Sequence, residues 1–230
     1  MKRIVEIVCT SVHDCIDSAR AGAGRIELCS TIEMGGLTPS AGLLENAKRS
    51  VPIPIMTMIR PRSGGFCYSE TEFDTMLSDC DLLTLSDGFV FGVLTADREI
   101  DVQRCKELVL ACGQKEKVFH RAFDQLVDPI RSMELLIDLG FTRILTSGLA
   151  PTAEDGAGTI EMLIDNADGR IEIMPGGGVR PQNVQRILPT GCKSIHLAPL
   201  RESLDLSGSG TPYRVVDSEQ VEQVVKLCNT

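Results

Sequence analysis

The chain has 230 residues, a net charge of -9 at pH 7 and 43% hydrophobic residues. This length and composition are those of an ordinary globular protein with a sizeable core, so we expect a single domain over residues 1–230. The acidic balance excludes a nucleic-acid backbone or an anionic membrane as the main partner, because both are bound by surplus Lys and Arg.

Neither a membrane span nor a secreted scaffold is indicated. No apolar run reaches the roughly 20 residues that a transmembrane helix needs, and Glu6 interrupts the start of the chain before a signal-peptide core could form. The nine cysteines are scattered and form no CxxC pair, which excludes a disulfide framework and a structural zinc module. We therefore expect a cytoplasmic protein.

Eight short β-branched runs alternate with helix-like stretches along the chain. In chain order, the predicted strands cover residues 3–9, 25–30, 53–60, 88–94, 117–123, 143–148, 171–177 and 194–199. Strands that are apolar on both faces and separated by helices predict a parallel sheet buried under a helical layer. Eight such units predict an α/β fold, a closed (β/α)8 barrel of the TIM type. A doubly wound open sheet is the alternative, although the Gly-rich phosphate fingerprint after the first strand is missing.

The tail of the chain differs from this regular pattern. Residues 200–217 are rich in Ser and Gly, which predicts a long exposed loop before a C-terminal helix from about Ser218. In a barrel this loop would overhang the face on which the strands end. That face is where barrels of this kind build their sites.

The stretch KVFHRAFD, residues 117–124, brings polar groups to the end of the fifth strand. Period-two alternation places His120 and Asp124 on the inward face and Arg121 on the opposite face. A hydrogen-bonded core histidine and a catalytic histidine are both compatible with this position. Arg121 needs a carboxylate or an anion at the rim.

Glu27 is an isolated carboxylate in the apolar strand RIELC. Such a group is costly to bury unless it is paired, protonated or bound to a cation. Two interpretations stay open: structural pairing with Arg60, and a general acid or base with a raised pKa.

Two loops have the composition of anion sites. RPRSGGFCYS follows the third strand and begins at Arg60, and MPGGGV follows the seventh strand and contains Gly176, Gly177 and Gly178. Arginines and glycine-rich backbone at a helix start bind phosphate or carboxylate, whereas a solvated loop and a tight turn are the alternatives. In the enzyme hypothesis the catalytic residues are Glu27, His120 and Asp124, of which Glu27 or His120 moves a proton. Arg60, Arg121 and the three glycines hold a small anionic substrate.

Cys9 and Cys29 end the first two predicted strands. Two neighbouring thiolates suit a soft ion such as Cu(I). Simple packing of small apolar side chains is the alternative for both residues.

Seven sequence blocks carry a family resemblance: RIELCS, GGLTPS, MIRPRSGGFCYS, DGFVFGVL, FHRAFD, RILTSG and MPGGGV. In order and separation, from residue 3 to about 199, they resemble the CutC copper-homeostasis family. The resemblance implies a (β/α)8 barrel, a cytoplasmic location, a homo-oligomer, and copper as partner ion, with Cu(I) held by Cys9 and Cys29. The stretch from Phe73 to Phe89 looks shorter than the family pattern, so an irregular helix is expected there, and the sequence after residue 199 also departs from the family.

Overall fold

A computed structural model describes residues 3–204 and 212–229 of the chain. Eight parallel strands form the inner wall: β1 (Ile4–Cys9), β2 (Arg25–Leu28), β3 (Ile55–Met58), β4 (Gly88–Phe91), β5 (Glu116–Phe119), β6 (Arg143–Thr146), β7 (Glu172–Pro175) and β8 (Ser194–Leu197). They are hydrogen-bonded in the order β7-β6-β5-β4-β3-β2-β1-β8. A parallel bridge between Gly176 and His196 joins β7 to β8. The predicted single-domain (β/α)8 barrel is confirmed.

Eight α-helices follow the strands: α1 (Val12–Arg20), α2 (Ala41–Ser50), α3 (Glu70–Leu82), α4 (Val102–Ala111), α5 (Pro129–Leu139), α6 (Ala157–Ala167), α7 (Val184–Ile187) and α8 (Ser218–Cys228). Serine or aspartate side chains accept hydrogen bonds from the first-turn amides of most of them. These caps satisfy backbone donors that have no partner inside a helix. None of the described helices is long and apolar enough to cross a membrane.

The expectation of an irregular helix near Phe73 is wrong. α3 is a continuous helix of 13 residues. Ser69 and Glu72 form a reciprocal capping box at its start, in which each side chain accepts a hydrogen bond from the other residue's backbone amide. This local signal fixes the start of the helix whatever the length of the segment that follows.

The prediction of a long loop over residues 200–217 is also wrong at both ends of this range. β9 (Leu200–Leu204) and β10 (Pro212–Val216) pair as an antiparallel hairpin, and the stretch 205–211 lies outside the described residues. The Val216 amide donates a hydrogen bond of 2.9 Å to Asp14 in α1, which anchors the second strand of the hairpin. α8 begins at Ser218, as predicted.

Two apolar layers hold the barrel together. The larger lies between the strands and the helices and includes Ile7, Leu28 and Phe119. The smaller fills the inside of the barrel and includes Val8, Met56 and Met174. Because successive side chains of a strand point to opposite faces, β1 and β3 to β7 contribute to both layers. The inward positions of β2 and β8 are polar and are left to form a site.

Candidate functional site

A cavity of about 280 Å³ opens at the end of the barrel where the strands end. This is the face on which barrel enzymes carry their active sites. Its polar and charged lining consists of Glu27, Arg60, His120, Arg121, Arg180 and His196. Val8, Met58, Phe66 and Leu145 are among the apolar residues that complete the wall.

A buried network of charges lies beneath the cavity. Arg25, Glu6 and His196 are register neighbours on β2, β1 and β8. The Arg25 guanidinium is ion-paired with Glu6, and Glu6 Oε1 lies 2.8 Å from His196 Nδ1. Burial opposes ionisation of Glu6, but Arg25 and then His196 lower the pKa of this carboxyl well below its usual range. Glu6 is therefore a fixed negative charge.

Glu27 projects from β2 towards the same imidazole. Its Oε2 lies 3.9 Å from His196 Nε2, and its Oε1 has no hydrogen-bond partner among the described residues. Burial raises the pKa of Glu27 to about 7, although His196 opposes the rise. Burial also lowers the pKa of His196, yet the carboxylates of Glu27 and Glu6 leave it above its ordinary value. Of the two interpretations, pairing with Arg60 is not found among the described residues, and a carboxyl with this raised pKa is able to exchange a proton near neutral pH.

His120 follows the last residue of β5 and begins a short 3-10 turn, Arg121–Gln125. Its Nδ1 accepts a hydrogen bond of 3.3 Å from the Ala122 amide, and its Nε2 has no partner in the described part of the chain. Burial and, to a smaller extent, the nearby Arg60 charge together lower the pKa of His120 to about 3. The ring is therefore neutral at physiological pH, which fits a hydrogen-bond donor better than a proton carrier.

Arg60 lines the cavity, but its guanidinium is already engaged. Nη1 donates to the carbonyl oxygens of Met34, Gly35 and Gly36 at 2.9 to 3.3 Å. Nη2 donates to the Gly64 carbonyl at 2.7 Å. The side chain thus ties the loop after β2 to the loop after β3, and only Nε is left without a described partner.

Arg121 and Asp124 form an ion pair within the turn that follows β5. Arg121 Nε donates to Asp124 at 2.8 Å, and its Nη2 donates to Ser147 Oγ at the same distance. Asp124 also accepts bonds from the Ser147 amide and the Leu149 amide, at 3.0 to 3.3 Å. Asp124 does not line the cavity, and its saturated carboxylate is suited to positioning Arg121.

The glycine loop after β7 reaches the cavity through two of its three predicted members. Gly177 and Gly178 belong to the lining, and their amides have no acceptor among the described residues. The Gly176 amide instead donates to the Thr146 carbonyl at 2.9 Å. Gly177 has φ of 104°, and a Cβ there would lie 3.1 Å from Arg121 Cζ. Glycine therefore allows the guanidinium to lie directly against this loop.

Two contributors were not among the predicted site residues. Arg180, two residues after the last of the three glycines, is exposed and lines the cavity. Arg25 is buried and provides the cation for Glu6. The sequence signal for Arg180 was its place beside three glycines, whereas the partner of Arg25 depends on the register between β1 and β2.

Cys9 and Cys29 are both buried, but their side chains lie on opposite sides of the barrel wall. Cys9 Sγ lies 3.4 Å from Ser18 Oγ in α1, in the outer layer. Cys29 belongs to the interior cluster with Val8 and Met58. Burial raises the pKa of both thiols, which disfavours the thiolate that a metal binds. The structure does not bring these two thiols together in one pocket.

Glu6, Glu27 and His196 offer ligand atoms that lie within 4.8 Å of one another. Arg25 already provides a positive charge to Glu6, so a metal ion would have to compete with the guanidinium. Oxygen and imidazole ligands also differ from the thiols and thioethers that Cu(I) prefers. This group fits a hydrogen-bonded proton network better than a copper site.

The family model described as the CutC family matches residues 3–200. A Treponema denticola protein named as a family protein CutC is 45% identical over 216 residues, which cover 92% of this chain and 88% of that protein. The Mus musculus protein named copper homeostasis protein cutC homolog is 46% identical over 92% of this chain and 77% of its own length. The Homo sapiens protein of the same name is 46% identical over 84% of this chain and 72% of its own length.

Solved structures agree on the fold. A crystal structure of a CutC protein from Streptococcus agalactiae superimposes with a TM-score of 0.81 and 36% identity, covering 84% of this chain and 97% of that one. A monomeric phosphoribosylanthranilate isomerase from Thermotoga maritima gives a TM-score of 0.61 at 14% identity over 98% of both chains. The second likeness concerns the barrel alone.

Proposed function

This chain belongs to the CutC family, and from that premise and its barrel mouth we propose that it is an enzyme acting on a small anionic substrate. The observation that carries the proposal is Glu27, a buried carboxyl on the cavity wall with a free Oε1 and a pKa of about 7. A general acid or base works best with a pKa near the operating pH. His196 connects this carboxyl to the fixed charge of Glu6.

The substrate's anionic group is proposed to lie at the rim formed by Arg121, Arg180, Gly177 and Gly178. Two guanidinium groups and two free backbone amides suit a phosphate or a carboxylate. We propose that Arg60 supports this rim indirectly, because it holds the loops after β2 and β3 in place and adds a positive charge. It is not the main contact of the anionic group. Asp124 keeps Arg121 in place.

Thermal unfolding tests the anion site. Inorganic phosphate at constant ionic strength should raise the Tm of the wild type, because a ligand of the native state stabilises it. The shift should be lost in the double variant Arg121→Gln, Arg180→Gln. Arg49→Ala is the matched control, because it removes an exposed arginine on α2. Equal shifts in all three proteins would overturn the proposed rim.

The proton-transfer role of Glu27 has its own test. Carbon-13 NMR of labelled glutamate should show one carboxyl that titrates near pH 7 and disappears in Glu27→Gln. Glu45→Gln on α2, where the side chain is 46% exposed, is the control and should leave that signal unchanged. A Glu27 carboxyl that is fully ionised at pH 5 would reject the role.

A second candidate function is a part in copper homeostasis, which the printed names give to the mouse and human relatives. One observation favours it: Cys29 shares the interior cluster with Met56, Met58 and Met174, and thiols and thioethers are the ligands that Cu(I) prefers. The predicted partner Cys9 lies across the barrel wall, so a two-thiol site would require this region to rearrange.

Titration of the reduced protein with Cu(I) against a competing chelator tests this candidate. Tight one-to-one binding that is lost in both Cys9→Ser and Cys29→Ser would support the thiol pair. Loss in Cys29→Ser alone would favour a thiol and thioether site. Cys67→Ser is the control, since Cys67 is exposed. Binding that no variant changes would reject Cu(I) ligation by these cysteines.

A cytoplasmic location and a homo-oligomer remain part of the proposal. All nine cysteines are free in the structure, which supports a reducing compartment. Light scattering coupled to size-exclusion chromatography would give the number of subunits, and a monomer at micromolar concentration would contradict the homo-oligomer.

A further inference from the structure

The proton on the His120 ring has a defined position. Nδ1 accepts the Ala122 amide hydrogen at 3.3 Å, so in the neutral ring the hydrogen lies on Nε2. The Nδ1 edge also packs against β4 and its continuation, since a Cβ on Gly92 would lie 2.7 Å from Nδ1. Phe66 and Phe119 contact the ring with centroid distances of 4.6 and 6.1 Å. The tautomer and the orientation of the ring are therefore fixed by the fold.

The fixed Nε2–H donor lacks an acceptor among the described residues. His120 is 4% exposed and lines the cavity, and no described residue accepts from its Nε2. A buried donor without a partner is costly and rare, and in a native protein it calls for an explanation. A ligand oxygen in the cavity would satisfy it.

Glu27 presents the complementary group on the same cavity. It is 4% exposed, and its Oε1 lacks a partner in the described chain. Proton abstraction next to a carbonyl group requires two groups, a neutral N–H donor and a carboxylate. The donor contacts the carbonyl oxygen, and the carboxylate removes a proton from the adjacent carbon.

We infer that the substrate is a small aldehyde or ketone that carries a phosphate or carboxylate, and that His120 is a catalytic residue that polarises its carbonyl group. The inference rests on the proposed function, in which Glu27 moves the proton. The Glu27 carboxylate takes the proton from the carbon next to the carbonyl, and the C–H electron pair becomes the new C=C bond. The carbonyl π pair moves to oxygen, where Nε2–H stabilises the enolate. Return of the proton from Glu27 to carbon restores the carbonyl, so no oxidant or reductant is required.

Nitrogen-15 NMR of labelled histidine tests the donor directly. The ring of His120 should show a protonated Nε2 and a bare Nδ1 from pH 5 to pH 8, and these signals should be unchanged in the variant of exposed His13. The resonances are assigned with His120→Gln and His13→Gln. A proton on Nδ1, or an imidazolium at pH 6, would overturn the assignment of His120.

Proton exchange tests the substrate class. Dihydroxyacetone phosphate in D2O should gain deuterium next to its carbonyl in the presence of the wild type. Glu27→Gln and His120→Ala should each slow the exchange by about 100-fold or more. His120→Gln retains an N–H donor and should keep part of the rate, and His13→Gln should keep all of it. No exchange above the buffer rate would overturn the inference for this substrate class.

Measurements of ligand affinity distinguish the carbonyl inference from the proposed function on which it rests. Dihydroxyacetone phosphate should bind about tenfold more tightly than glycerol 3-phosphate, which has a hydroxyl in place of the carbonyl, and His120→Ala should remove the difference. Equal affinity for both, with an arginine-dependent phosphate shift in Tm, would overturn the carbonyl inference and leave the anion site standing. Absence of the phosphate shift as well would overturn both.

Discussion

Glu6 and His196 face each other on adjacent strands of the barrel and share a buried hydrogen bond of 2.8 Å between Oε1 and Nδ1. Because Glu6 is held ionised by Arg25, His196 donates its Nδ1 hydrogen to Glu6. The other ring nitrogen is thereby directed towards Glu27. The ionised Glu6, the His196 ring and the titratable Glu27 carboxyl therefore lie one after another, with Glu27 on the cavity wall.

We expect Glu6→Gln to destabilise the protein by about 3–5 kcal/mol, because it leaves the buried Arg25 without its counter-charge. Chemical denaturation measures the free energy of unfolding. The double variant Glu6→Gln, Arg25→Met should be more stable than the single variant, since the unpaired charge is removed. If the losses of stability measured for Glu6→Gln and Arg25→Met alone simply add up in the double variant, the two side chains are not energetically coupled.

Glu27 makes the stability of the protein depend on pH. Its pKa is about 7 in the folded state against an ordinary 4.5, so the folded state binds this proton more tightly than the unfolded state. The contribution is therefore fully present below about pH 4.5 and is lost as the pH rises to 7, by roughly 3 kcal/mol at most. Glu27→Gln cannot ionise and should be more stable than the wild type at pH 8. Parallel stability curves for the two proteins between pH 4.5 and 8 would contradict this assignment.

Gly92→Ala should displace the His120 ring. The added Cβ would lie 2.7 Å from Nδ1 and 2.8 Å from Cε1 of the imidazole. Overpacking of this kind costs about 1–3 kcal/mol, and the nitrogen-15 signals of His120 should shift. Gly65→Ala is the matched control, because nothing lies within 4 Å of its Cβ position. An unshifted His120 spectrum would show that the ring is not held by this contact.

Arg60→Lys should loosen two loops at once. A lysine retains the charge but cannot reach four carbonyl oxygens with a planar fork, so we expect a loss of about 1–3 kcal/mol. Limited proteolysis should show new cleavage near Gly35 and Gly64, and wild-type resistance there would contradict the structural role. Arg49→Lys is the control, because Arg49 is exposed and pairs with Glu45 within α2, away from both loops.

The sequence predicts the barrel because most of the strands are apolar on both faces, and this pattern can be read without knowledge of distant contacts. The site depends on details of register. β1 pairs Cys9 with Leu28, so Cys29 is one residue out of phase and faces the interior. β5 ends at Phe119, so alternation stops before His120 and Arg121 reaches the rim. Arg60 binds carbonyls 24 to 26 residues earlier in the chain, a contact that only the folded loops create.

The closure between β7 and β8 has a dynamic consequence. In the described chain these strands are joined by the isolated bridge of Gly176 and His196, whereas the other neighbouring strands share ladders of two to four paired residues. We expect two strands with so few paired residues to separate at a lower free-energy cost than the other neighbouring strands of the barrel. Because His196 forms this bridge and is also hydrogen-bonded to Glu6, separation of β7 from β8 would disturb the buried charges as well.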